Sequence, residues 1–105
     1  MRRLLLAMAI VTASPALALD KGAVERGRLI VEANCAVCHA VGATGASPNS
    51  AAPPFRVLHL RYPIESLEEA LAEGISTGHP EMPEFVATPK QIESIIAYVK
   101  SLETN

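Results

Sequence analysis

Tryptophan is absent from the 105 residues, and there are only two phenylalanines and two tyrosines. A centre packed mainly from aromatic rings is therefore excluded, although 50 % of the chain is hydrophobic. Cysteine is almost absent as well. Cys35 and Cys38 stand three positions apart, so a disulfide between them would constrain little of the unfolded chain. No apolar run approaches the ~20 residues that a membrane-spanning helix needs. The longest, Leu4 to Thr12, is followed by Pro15. No segment alternates with period two, which argues against a β-sheet, and there is neither an internal repeat nor a long low-complexity tract.

What is present first is a leader. Met1-Arg2-Arg3 gives a positive start, Leu4 to Thr12 the apolar stretch, and Ala16-Leu17-Ala18 a small-residue exit. This is the anatomy of a secretory signal peptide, 1–18, with cleavage expected before Leu19 and no stable membrane insertion afterwards. Removing it takes Arg2 and Arg3 and no acid. Residues 19–105 then hold seven basic against eleven acidic residues, a net charge of −4 with histidines neutral. Such a balance argues against nucleic acid or an anionic membrane surface as partner, and favours one that is basic or apolar. Fewer than ~90 residues make a thin core, and chains of this size commonly need a staple. With no useful disulfide, a large apolar cofactor held through both sulfurs would serve.

The rest of the chain reads as helices and loops. A first helix is predicted from about Ala23 to Asn34, capped by Asp20, with Val24, Gly27, Ile30 and Val31 at helical spacing. It runs directly into Cys35. Residues 41–54 are rich in Gly, Ala, Ser, Asn and Pro and read as an irregular loop. A short helical turn is possible over 55–60. A second helix is expected from about Pro63, at its first position, to Glu73, with Gly74 as a left-handed stop. Ile64, Leu67, Ala70 and Leu71 form its inward stripe, and Glu65, Glu68, Glu69 and Glu73 lie outside. Another Pro- and Gly-marked loop fills 75–87. The last helix starts with a capping box, Thr88 with Gln91, and Pro89 at the first position. Ile92, Ile95, Ile96, Val99 and Leu102 give its apolar face. The fold class is all-α, three or more helices joined by loops that must be covering something.

The strongest chemical signal is Cys35-Ala36-Val37-Cys38-His39. Two thiols at this spacing can add across the two vinyl groups on one side of a haem, and the adjacent histidine can then place an imidazole nitrogen on the iron. A histidine must be neutral to ligate, so ligation holds it in that state. The same residues admit other readings. A Cys-x-x-Cys pair can be a thiol–disulfide centre, but such centres open a helix beside a sheet, whereas this one follows a helix. Structural zinc wants four ligands, and residues 19–105 offer the two cysteines with His39, His59 and His79. Two buried cysteines with an incidental histidine complete the alternatives. For a sixth iron ligand the candidate is Met82, the sole methionine once Met1 and Met8 leave with the leader. Its flanking Pro80 and Pro83 stiffen a loop that could present one side chain, where a core-filling methionine would sit on a helix stripe. His79 is the rival, and His59, within Val57-Leu58-His59-Leu60, reads as structural.

With these residues the chain resembles the class I cytochrome c family, of the small bacterial monohaem kind, over nearly all of residues 19–105. Gly27 stands eight residues before Cys35, where the family has a glycine that lets the last helix cross closely; its counterpart would be Tyr98. Ile95-Ile96-Ala97-Tyr98-Val99-Lys100 is similar to the family's terminal-helix signature, and Met82-Pro83 followed by Phe85 resembles its axial-methionine segment. The resemblance implies the cytochrome c fold around one covalent haem c, held by Cys35 and Cys38, with His39 and Met82 as axial ligands. It also implies that the carbonyl of Pro53 or Pro54 accepts a hydrogen bond from His39. Arg56, Arg61 and Tyr62 are candidates to replace the tryptophan that contacts a haem propionate in some members. The lysine ring of mitochondrial members is missing, so their docking logic does not transfer.

The implied activity is that of a diffusible periplasmic electron carrier with redox-protein donor and acceptor, and not an enzyme. No nucleophile–base constellation is present. An electron-entry subunit of a dehydrogenase or oxidase complex would show the same axial chemistry. A ligand-binding haem protein would differ in a displaceable sixth ligand.

Overall fold

The computed structural model describes residues 5–10, 20–74 and 82–103. The expected cleavage point before Leu19 and the rival ligand His79 lie outside the described residues. Three α-helices and one 3₁₀ helix follow in order, with no strand among the described residues.

The first helix, α1, spans Lys21–Asn34. It starts two residues earlier than the apolar spacing predicts, because Asp20 fixes the start. Asp20 adopts a left-handed backbone (φ 36°, ψ 55°), and its carboxylate accepts the Ala23 N–H at 3.1 Å, one of the donors a helix start leaves unpaired. Ala23, Gly27 and Val31 are the buried positions, while Val24 and Ile30 are half-buried. Ala23 was not among the predicted inward residues. Outside, Arg28 pairs with Glu25, and its Nη1 reaches Glu32 at 2.8 Å.

Residues 55–60 form a 3₁₀ helix, Phe55–Leu60, that buries Phe55 and Leu58. The next α-helix, α2, spans Ile64–Glu73. Pro63 is its cap and not its first helical residue: with ψ 136° it is still extended, and its carbonyl takes the Ser66 N–H at 3.0 Å. Ile64 and Leu71 are buried, Leu67 and Ala70 half-buried, and the four glutamates exposed. Gly74 ends α2 at φ 84°, a backbone that disfavours a side chain, but ψ 123° is extended where the sequence predicts a left-handed helical stop.

The last helix, α3, spans Pro89–Ser101 and opens as predicted. The Thr88 hydroxyl accepts the Gln91 N–H at 3.2 Å, and the Gln91 side chain accepts the Thr88 N–H at 2.9 Å. Both α1 and α2 pack on α3. One core results: Val31 from α1, Phe55 and Leu58 from the 3₁₀ helix, Ile64 and Leu71 from α2, and Ala87, Ile92, Ile95, Tyr98 and Val99 from α3 and its approach. Val31 and Val99 are completely buried, and such burial stabilises by roughly 1.5–3 kcal/mol per side chain.

The crossing of α1 and α3 is closer than side chains ordinarily permit. A Cβ placed on Gly27 would lie 2.0 Å from the Ser94 carbonyl oxygen and 2.7 Å from the Tyr98 Cβ. The expected pairing of Gly27 with Tyr98 is present, and Ser94 takes part through its main chain. Ser94 is buried and was not predicted, since a small polar residue leaves no mark on a hydrophobic pattern.

Candidate functional site

The C-terminal end of α1 carries the Cys-x-x-Cys-His segment. The Cys35 and Ala36 N–H groups both donate to the Val31 carbonyl, at 2.8 and 3.1 Å, which ends the helix. One further turn follows, with the Cys38 and His39 N–H groups donating to the Cys35 carbonyl at 3.2 and 2.9 Å. The two thiols and the imidazole therefore come from a single tight turn. Cys35, Cys38 and His39 are half-buried, and Val37 between the cysteines is 80 % exposed.

This placement bears on the thiol–disulfide reading. No disulfide joins Cys35 to Cys38. Burial pushes the Cys35 thiol up to about 11, and the carbonyl end of α1 beside it disfavours a negative charge. A disulfide-exchange centre needs the reverse, a thiolate stabilised near neutral pH. Among the described residues no three His, Cys, Asp or Glu side chains are grouped to hold a metal ion.

The imidazole of His39 is fixed on two sides. Its Nδ1 lies 2.7 Å from the Pro53 carbonyl oxygen, which can only accept, so Nδ1 carries the proton. In the neutral ring the other nitrogen, Nε2, then has its lone pair, as a metal ligand requires. Phe55 stands against the ring with centroids 4.9 Å apart and planes inclined at 48°. Between the two prolines that the sequence left open, only Pro53 reaches His39. The Pro54 carbonyl accepts the Val57 N–H at 3.1 Å and opens the 3₁₀ helix.

Met82 is half-buried at the head of a segment that returns to the core through Phe85 and Ala87. That segment is tied to α2 by the Ala87 N–H and the Leu71 carbonyl, 3.4 Å apart. The side chains of Glu84 and Val86 lie over Gly74. Residues 24–103 match the family model described as cytochrome c.

The chain belongs to the cytochrome c family. It is 35 % identical over 82 residues to a cytochrome c-553-like protein of Synechocystis, covering 78 % of this chain and 71 % of that protein. No solved structure matches. Membership makes this an electron-transfer protein, a haem electron carrier and not an enzyme, and the cofactor is covalently bound haem c. Cys35 and Cys38 fit its attachment: two thiols on one turn, beside an imidazole whose Nδ1 is held by the Pro53 carbonyl.

The loop 41–54 of this cytochrome is irregular, as predicted, yet well tied down. The Ser47 hydroxyl accepts the Ala40 N–H at 3.0 Å, the Asn49 N–H reaches the Cys38 carbonyl at 3.1 Å, and the Phe55 N–H reaches the Ala40 carbonyl at 2.9 Å. Arg56 donates to the Gly45 carbonyl at 2.7 Å, and the Tyr98 hydroxyl donates to the Val41 carbonyl from α3. Arg56 is thus occupied in holding the loop. Arg61 and Tyr62 are exposed after the 3₁₀ helix, and no hydrogen bond joins either to the attachment turn among the described residues. Partial burial raises the Tyr62 phenol above its ordinary value, opposed by the nearby Arg61 charge. Nδ1 of His59 is buried without a hydrogen-bond partner among the described residues.

Two participants were not foreseen in the sequence. Ser47 looked like one more polar loop residue. Phe55 belongs to the core, and in the sequence only its position directly after Pro53-Pro54 marks it as a neighbour of His39.

Proposed function

We propose that this cytochrome is an exported, periplasmic one-electron carrier, with residues 1–18 removed and haem iron held between His39 and Met82. The observation that carries the reading is the hydrogen bond from His39 Nδ1 to the Pro53 carbonyl. It selects the tautomer that leaves Nε2 free, and it makes the imidazole a more basic ligand. Haem supplies the one-electron ferric–ferrous couple. The protein's part is to keep the surroundings of that couple the same in both states. Cys35 and Cys38 fix the position, the turn at the end of α1 fixes the direction of His39, and Pro83 beside Met82 limits its movement. A thioether opposite an imidazole favours the ferrous state and raises the potential. With both axial positions filled by side chains, no site remains for a substrate, which suits outer-sphere transfer.

Export is supported by the leader itself. Leu5, Leu6, Met8 and Ile10 are apolar, more than four-fifths exposed, and outside the core. Cleavage before Leu19 would leave Asp20 in place to cap α1. Among the described residues no helix is long and apolar enough to cross a membrane.

The deciding experiment is the absorption spectrum of the oxidised protein, expressed with a haem-attachment system and recovered from the periplasm. A covalent c-type spectrum with the weak far-red sulfur-to-iron band is expected. That band should vanish in Met82→Ala. A c-type spectrum without the band in the native protein would refute Met82 ligation, and a full-length chain retained in the cytoplasm would refute export.

A further inference from the structure

We propose that Phe55 is a positioning residue that sets the rotational orientation of the His39 imidazole, and through it the electronic axes of the iron. The proposal rests on the reading above that His39 holds the iron. A single hydrogen bond fixes one point of the ring and not its plane. The imidazole can still swing about the line from Nδ1 to the Pro53 oxygen, and a swing of that kind keeps the bond intact. What opposes it is the ring of Phe55, 4.9 Å away and inclined at 48°, in the range of a tilted aromatic contact.

Phe55 is suited to act as a wall because it is itself held on every side. Its side chain is 8 % exposed and belongs to the core with Val31 and Leu58. Its N–H donates to the carbonyl of Ala40, the residue directly after His39, at 2.9 Å. The acceptor and the wall also belong to one short segment, Pro53-Pro54-Phe55, in which two proline rings restrict the backbone. The carbonyl that accepts the hydrogen bond and the ring that limits rotation are therefore set at a fixed separation. Neither the hydrogen bond nor the packing alone would orient the plane, and together they do.

A merely structural Phe55 would matter for stability and nothing else, so the test reads orientation directly. In ferric holoprotein labelled at histidine, the hyperfine-shifted ring signals of His39 and the order of the haem-methyl resonances report the plane of the imidazole. Phe55→Leu is expected to change that order. Phe55→Tyr, which keeps the ring, is expected to restore the native order. Leu58→Val, which removes buried volume from the same 3₁₀ helix and keeps the Phe55 ring, is expected to lower the unfolding midpoint and leave the order unchanged. If Phe55→Leu does not take up haem, Phe55→Met makes the same prediction with an unbranched side chain.

A leucine or methionine variant with the native methyl order and only a lowered unfolding midpoint would overturn the proposal. So would a Leu58→Val protein that shifts the pattern as much as Phe55→Leu. Failure of the underlying reading looks different: the native protein itself would then show no hyperfine-shifted His39 ring signals.

Discussion

Replacing Gly27 by alanine tests whether the close crossing of α1 and α3 holds this fold together. The added Cβ would meet the Ser94 carbonyl oxygen at 2.0 Å and the carbonyl carbon at 2.7 Å. Even close carbon–oxygen contacts in proteins stay near 3.3–3.6 Å, so the two helices must separate by about 1.3 Å. A gap approaching 1 Å already forfeits up to about half of the dispersion attraction between facing atoms. Val31, Ile95 and Val99 stand in the core that would open. Overpacking costs roughly 1–3 kcal/mol, and a clash with main chain belongs at the upper end because no rotamer change relieves it. Alanine returns about 1 kcal/mol through its better helix propensity. The net loss expected is therefore about 2 kcal/mol, which for a domain this size lowers the melting temperature by roughly 8–16 °C. Urea titration of the holoprotein followed by circular dichroism measures it. Gly42→Ala is the comparison, since a Cβ there has nothing within 4 Å, and it should stay within about 0.5 kcal/mol of the native protein. Trimming Ser94 to glycine should not rescue Gly27→Ala, because the atom in the way is backbone. A Gly27→Ala protein as stable as the native one would refute the reasoning.

Other predictions concern the ties around the site. Tyr98→Phe removes the hydroxyl that holds the Val41 carbonyl and should cost about 1 kcal/mol, with faster amide exchange in 41–54. Burial, reinforced by Glu32, raises the Tyr98 phenol above its ordinary value. Its contribution is fully present below pH ~10 and lost as pH rises through the elevated native value, so Tyr98→Phe should flatten the alkaline fall in stability. Thr88→Ala breaks the capping box of α3 and should cost about 1 kcal/mol in the same urea titration, with unchanged haem spectra. Glu73→Lys places a cation in the last turn of α2, four residues after Glu69, and should raise stability by about 0.5–1 kcal/mol at low salt, an effect that 0.5 M salt should largely abolish.

Much of this molecule was legible before any coordinate was known. The start of α3 was written in Thr88-Pro89 and Gln91, because a capping box is satisfied entirely within four residues. The attachment turn was legible for the same reason, since Cys35, Cys38 and His39 belong to one contiguous chemical unit. The α2 stripe followed from spacing alone, and the class of fold from the absence of any alternating segment. Errors fell where one local rule admits two backbone geometries. Pro63 reads equally well as cap or first residue, and the Ser66 hydrogen bond together with the burial of Ile64 accompanies the former. Gly74 promises a positive φ but says nothing of ψ.

Tertiary structure decided what depends on atoms far apart in the chain. The identity of two adjacent prolines could not tell which carbonyl meets an imidazole fourteen positions away; the 3₁₀ helix settles it by claiming Pro54 for Val57. Arg56 was a candidate for the cofactor's edge, and packing turned it instead onto Gly45 in the loop. Ser94 and Phe55 acquired their importance only when α3 crossed Gly27 and when the segment after Pro53 folded back against His39. Sequence by itself fixes the chemistry that neighbours along the chain can perform. Folding chooses which carbonyl, which ring face and which helix crossing stand beside it, because those choices are made by close packing among residues that never meet in the unfolded chain.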